Sequence, residues 1–294
     1  MKFLGRLFSL LIALSFLGTT ATFAQLETLT IALKPDKDPE AMLAERSKLT
    51  EFLTEALGVE VSVVVPLSSA VILEGMRNGT IDVSYLSSMD MVNGLREESV
   101  KYLLVGEING KPSYDSYWLT LKDQEYQSID ELKGKPVAFA SRTSTSGYLV
   151  PHWDLIKRGL VEPLGDPESF FGAGNVFYGT GYVSAVERLL SGDAEAAACS
   201  DYVLLKDKHL QPEQKEKLRV LQAQGPVPTH IIAVRASLDD ESVAKLREVF
   251  LSMNEEAHQD LRDRLFTSTL VLANEDNHVA TLQEALELTG HKRP

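Results

Sequence analysis

An α/β fold in two lobes, each a sheet flanked by helices, is what this sequence predicts. Three observations carry the prediction. The 294 residues suit about two domains of ordinary size. Strand-like and helix-like segments alternate along most of the chain. No internal repeat, low-complexity tract or long flexible linker separates two halves, which favours lobes joined by strands over two tethered beads.

The first unit begins with residues 29–33 (LTIAL), which read as a buried strand. Asp38-Pro39 opens a helix, with proline at its first position, where no N–H is needed. Leu49, Phe52, Leu53, Ala56 and Leu57 fall on one face of it, and Gly58 closes it. Residues 59–65 (VEVSVVV) form the next strand. Ser68-Ser69 starts a second helix that stops near Asn78-Gly79. A strand over 81–85, a helix over 87–96 and a strand over 102–105 complete a lobe whose alternation predicts a mostly parallel sheet.

A long alternating strand, 114–121 (YDSYWLTL), is suited to crossing between lobes. Ser128 and Glu131 have capping-box spacing. A strand over 136–140 precedes a turn and helix over 143–159, a helix over 180–190, a strand over 194–199 and a helix over 200–208. Strands over 218–221 and 230–234 flank Gly225-Pro226-Val227-Pro228, read as a break. Helices over 240–258 and 279–289 end the chain. The expected division is residues 1–24 as an export signal, 25–117 plus 226–294 as the first lobe, and 118–225 as the second.

Composition narrows the function. With 44% hydrophobic and 24% charged residues the chain is neither a disordered tail nor a polytopic membrane protein. A net charge of −13 argues against nucleic-acid binding, which relies on clustered Lys and Arg. One cysteine, Cys199, excludes an intramolecular disulfide and a cysteine-based zinc site, and reads as a buried structural residue. The six histidines show no pair at metal-ligand spacing, so no metal or cofactor is expected. Lys2 and Arg6, the apolar run 7–17 and the small residues Thr22 and Ala24 have the pattern of a secretory signal peptide cleaved before Gln25. The apolar run is shorter than the roughly 20 residues of a membrane span. Cleavage would take the net charge to −15, and the expected destination is the periplasm.

The strongest chemical feature is residues 141–147 (SRTSTSG), directly after the strand PVAFA. Hydroxyls and a glycine at a helix start combine unpaired N–H groups, a positive dipole end and close access to the backbone, which suits a tetrahedral oxyanion. Ordinary capping by Ser or Thr uses the same residues, and the stretch alone does not separate the two. No nucleotide P-loop motif is present.

Residues 128–151 (SIDELKGKPVAFASRTSTSGYLVP) resemble the periplasmic phosphonate-binding family of ABC importers, with its D-L-x-G-K turn, strand, S-T-S-G and L-V-P. Residues 72–83, 191–195 and 226–228 resemble further blocks of that family in order. The resemblance implies a two-lobed type II periplasmic binding fold, each lobe a mixed sheet flanked by helices, with a ligand cleft closed by hinge bending. It implies that Ser144, Thr145 and Ser146 hold the oxyanion, that Tyr85 supplies an aromatic from the first lobe, and that Asp201 is an acid of the second. Three positions depart from the pattern. Ser69 stands where the family can place a tyrosine, Tyr182 where it has a histidine, and His230 where it has an aspartate. A buried amine needs acids, so these departures point to a ligand without one: phosphite, phosphate, methylphosphonate or a similar oxyanion.

Blander roles remain open at this level. Asp201 also fits a first-turn helix acid, and Tyr85 and Tyr182 fit half-buried aromatics. Two partners fit the same cleft. One is an ABC permease, with the chain as a monomeric solute-binding protein. The other is a membrane histidine kinase, with the chain as a sensory protein for a related, even arsenical, oxyanion. An enzyme is not expected, because no nucleophile–base arrangement is evident.

Overall fold

The computed structural model describes residues 28–33, 39–205, 210–265, 267–275 and 277–291. The predicted export signal and its cleavage site lie outside them. The first lobe runs β1 (Thr28–Ala32), α1 (Pro39–Leu57), β2 (Glu60–Val64), α2 (Ser69–Asn78), β3 (Val83–Leu86), α3 (Ser88–Arg96) and β4 (Val100–Glu107). The second runs β5 (Ser113–Leu121), β6 (Val137–Phe139), α4 (Val150–Lys157), α5 (Glu168–Phe171), β7 (Val176–Tyr178), α6 (Tyr182–Ser191), β8 (Ala196–Ser200), α7 (Tyr202–Leu205), α8 (Pro212–Lys215) and β9 (Leu218–Pro228). The chain then adds β10 (Ile231–Arg235), α9 (Asp240–Ser252), α10 (Gln259–Arg264), β11 (Thr269–Val271) and α11 (Ala280–Thr289).

Two mixed sheets result, ordered β11-β4-β10-β3-β1-β2 and β7-β6-β8-β5-β9. In the first, β1 pairs in parallel with β2 and β3, as the alternation predicts. The returning strand β10 inserts antiparallel between β3 and β4, and β11 adds antiparallel to β4, so the sheet is mixed rather than mostly parallel. Asp82 ties three of these strands. Its carboxylate accepts the Thr30 N–H of β1 at 2.8 Å and pairs with Arg235 of β10 at 2.8 Å.

Local signals set the helix ends. Ser68 caps α2 by accepting from Val71 N–H, and Gly79 ends it in the left-handed region at φ 81°. Ser87 caps α3 in the same way, accepting from Asp90 N–H at 3.1 Å. Several expectations need correction. Ser128 makes no capping bond; the segment is a 3₁₀ turn over Ile129–Leu132, and Glu131 accepts from Gln127 N–H instead. Gly225-Pro226-Val227-Pro228 is no break. It continues β9, with Val227 opposite Tyr114 and Pro228 opposite Ser113. Proline fits there because β9 is the edge of its sheet. The helix expected over 240–258 ends at Ser252, because Asn254 turns its amide onto Leu270, donating to the carbonyl and accepting from the N–H at 2.8 Å each. Strands β7 and β11, three residues each, were not legible as periodic runs.

The lobes share packing. Ile72, Met76, Val92 and Tyr102 of the first lobe join Leu149, Val150 and Val227 of the second in one buried cluster, with Leu282, Ala285 and Leu286 of α11. Helix α11 packs against α3, α4 and β9. The sequence-based lobe boundaries at 117/118 and 225/226 fall inside the β5–β9 ladder. No helix among the described residues is long and apolar enough to cross a membrane.

Candidate functional site

The hydroxyl turn is built by two breaks in ordinary helix geometry. Ser144 is extended, and its Oγ accepts the Gly147 N–H at 3.0 Å. Residues Thr145–Leu149 then form a π-helical turn, with Leu149 N–H donating to Ser144 O at 3.1 Å. Pro151 has no N–H to return to the Gly147 carbonyl, which accepts from Ala140 N–H at 2.9 Å instead. The start of the helix is thereby folded back onto the end of β6. Gly147 is required here, since a Cβ would lie 2.4 Å from that of Ala140.

The second lobe brings two further expected residues, Tyr182 and Asp201, to this turn. Ser146 is fully buried, and its hydroxyl bonds the Tyr182 hydroxyl at 2.7 Å. Tyr182 is the first residue of α6. Burial raises its pKa, while hydrogen bonds from Ser146 and Ser144 pull it down. Thr145 is buried in the same turn. Asp201 sits between β8 and α7 and adds negative potential at Tyr182. Its carboxylate accepts from Asp115 N–H at 3.3 Å and from the Ser200 hydroxyl at 3.1 Å. Burial nonetheless holds its pKa above the usual carboxylate value.

The first lobe contributes an aromatic pair. The Tyr85 ring of β3 stacks on His230 at 5.1 Å, 16° from parallel, and its hydroxyl donates to the Leu265 carbonyl. Tyr85 lies close enough to Tyr202 of the second lobe for that phenol, after burial, to raise its pKa. Ser69 occupies the first position of α2.

Sequence reasoning missed Tyr114 and Tyr202. Their rings stack at 5.0 Å, and Tyr114 hydrogen-bonds Ser146. Burial raises both pKa values, so both are neutral hydroxyls at any ordinary pH. Tyr202 has a local signal, its position next to Asp201. Tyr114 has none, being one aromatic in an alternating strand. Cys199 is fully buried with its thiol pKa pushed up, the mark of a packing residue. Among the described residues no group of His, Cys, Asp and Glu is arranged to hold a metal ion.

The arrangement is a set of neutral hydroxyls converging on one turn with a single buried carboxyl beside it. It can offer hydroxyl donors to a small polar anion.

Known proteins share both sequence and fold. The model for periplasmic substrate-binding proteins of phosphonate ABC transporters matches residues 31–278. A phosphate-import protein, PhnD, of Mycolicibacterium smegmatis is 27% identical over 233 residues, 76% of this chain and 71% of the relative. The phosphonates-binding periplasmic protein of Escherichia coli is 24% identical over 213 residues, 69% of this chain and 60% of the relative. Among solved structures, PhnD1 of Prochlorococcus marinus in complex with methylphosphonate superposes with a TM-score of 0.69 at 18% identity, over 88% of this chain and 97% of that one. The two mixed sheets are those of the two-lobed type II periplasmic binding fold, and the chain belongs to the family of periplasmic substrate-binding proteins of phosphonate ABC transporters.

Proposed function

We propose that the protein is exported, captures a small phosphorus oxyanion between its lobes and delivers it to an ABC permease with no bond made or broken. The observation that carries the reading is the Ser144–Gly147 turn, with Thr145 and Ser146 buried and Tyr182 on the Ser146 hydroxyl. The turn holds Ser144, Thr145 and Ser146 as the cradle, and Tyr182, Asp201 and the Tyr85–His230 pair line the rest of the cleft. Relatives named for phosphate import and for phosphonates, and a neighbour solved with methylphosphonate, support this ligand class. Ser69, at the first position of α2, is the further first-lobe residue of this reading.

The cleft is expected to prefer an oxyanion without an amine. An ammonium group would meet one acid, Asp201, and a histidine, His230, where the family pattern has a second acid. Asp201 would repel a fully ionised oxyanion and accept the proton of one bearing an O–H, so phosphite, phosphate or methylphosphonate in its singly protonated form fits best.

Isothermal titration of phosphite, phosphate, methylphosphonate and 2-aminoethylphosphonate tests the class. Tightest binding by the aminoalkyl ligand would overturn the amine argument. A protein carrying both Thr145→Ala and Ser146→Ala is expected to bind roughly two to four orders of magnitude more weakly, at about 1.5–3 kcal/mol per charge-assisted bond. A folded double variant with unchanged affinity would place the site elsewhere.

A further inference from the structure

Behind the hydroxyl turn lies a buried polar chain that none of the roles above uses. Ser116 of β5 and Gln224 of β9 are cross-strand neighbours. Gln224 Nε2 donates to Ser116 Oγ at 2.7 Å, and Ser116 Oγ donates to the Ser146 carbonyl at 2.6 Å. The direction is not arbitrary. A carbonyl can only accept, so Ser116 spends its one proton on Ser146 and must receive from Gln224. The Ser146 carbonyl belongs to the same peptide as the Gly147 N–H, which donates onward to Ser144 Oγ. Four groups thus line up donor to acceptor from β9 to the first hydroxyl of the turn.

Gln224 is expensive as a purely structural residue. It is 6% exposed, and its Oε1 is buried with no partner among the described residues. An unpaired buried acceptor costs stability, and an apolar side chain of similar size would avoid the cost.

We infer that Gln224 and Ser116 are positioning residues for oxyanion binding: they polarise the Ser146–Gly147 peptide, which holds Ser144 Oγ as an acceptor of the Gly147 N–H and so fixes the direction of its own O–H, toward the Tyr182 hydroxyl or a bound oxyanion. The inference rests on the turn being the oxyanion cradle. Hydrogen bonds in series strengthen one another, so loss of the first link is felt at the last.

The test uses the full-length mature protein with methylphosphonate and inorganic phosphate as probes. Gln224→Leu and Ser116→Ala are each expected to weaken binding about threefold to tenfold, the net effect of one hydrogen bond. Gln224→Leu is expected to melt no lower than wild type, because the orphan acceptor leaves with the donor. Gln224→Met serves as a second variant if leucine fails to fold. Without any ligand, the Gly147 amide proton is expected to shift upfield in both variants as its peptide loses polarisation. Three results would overturn the inference. One is wild-type affinity in Gln224→Leu while the Thr145/Ser146 double variant has lost binding. Another is an affinity loss matched by a lower melting temperature, which marks a structural role. The third is a Gly147 amide that does not move. Wild-type binding in the double variant itself would instead show that the turn is not the cradle, and the inference would fall with it.

Discussion

Asp201 shows how burial changes what a residue can do. Its carboxylate accepts two hydrogen bonds, yet desolvation leaves its pKa raised from 3.8. A raised folded-state value means that the folded protein holds the proton more tightly than the unfolded chain. Stability therefore falls as pH rises from about 3.8 through the raised value, and the penalty is complete above it. Asp201→Asn removes the charge but keeps an acceptor for Asp115 N–H, and the Ser200 hydroxyl can turn to accept. We expect Asp201→Asn to melt above wild type at pH 7 and the difference to vanish near pH 3. A variant that melts lower at pH 7 would show that the ionised carboxylate is a net stabiliser. His230 is the residue-scale lesson in the other direction. Its place in the sequence marked it as a substituted acid, whereas its stacking on Tyr85 depends on β10 lying beside β3.

Helix α11 is where a single element does most to join the lobes. Leu282 and Leu286 are buried in the shared cluster, and Leu288 O accepts Leu164 N–H at 2.7 Å. The Lys157–Glu284 pair on its surface, at 2.7 Å with both side chains more than 40% exposed, contributes at most about 1 kcal/mol. Leu286→Ala should cost about 2–5 kcal/mol, read by urea denaturation, whereas Glu284→Gln should change little. Just beyond the helix, His291 packs edge-on to Tyr148, and the His152 ring of α4 lies 5.7 Å from the same ring, tilted to it. Burial keeps both below the ordinary histidine pKa of 6.5, and Arg142 lowers His291 further. The unfolded chain then takes up protons first as pH falls, so stability is full above about 6.5 and declines below it. Replacing His291 with Phe should flatten part of the loss between pH 7 and 5 in thermal melts; an unchanged slope would remove His291 from the account.

At the scale of the whole molecule, the shared cluster predicts one calorimetric unfolding transition, not one per lobe, since Leu149, Val150 and Ile72 lose their packing together. Two resolved transitions would show that the lobes are energetically separate. The charge makes a second prediction. A protein at −13, or −15 after cleavage, repels anions at long range, so the association rate for methylphosphonate should rise as sodium chloride is added from about 20 to 150 mM, where the Debye length shrinks to about 8 Å. A falling rate would mean that a local positive field outweighs the net charge. What the sequence determined by itself was written within a few residues, although the Ser128–Glu131 spacing shows that not every local signal is used. That covers the alternation of strands and helices, the caps at Ser68 and Ser87, and the hydroxyl turn closed by Gly147, because each is set by bonds between near neighbours. Tertiary structure alone decided what stands around that turn. Tyr114, Ser116, Tyr182, Tyr202 and Gln224 come from strands and helices far apart in the chain, and the pairing of β6 with β7 and β8, and of β5 with β8 and β9, brings them to Ser146. Pairing partners are chosen by long-range burial and register, which no local pattern in a strand specifies.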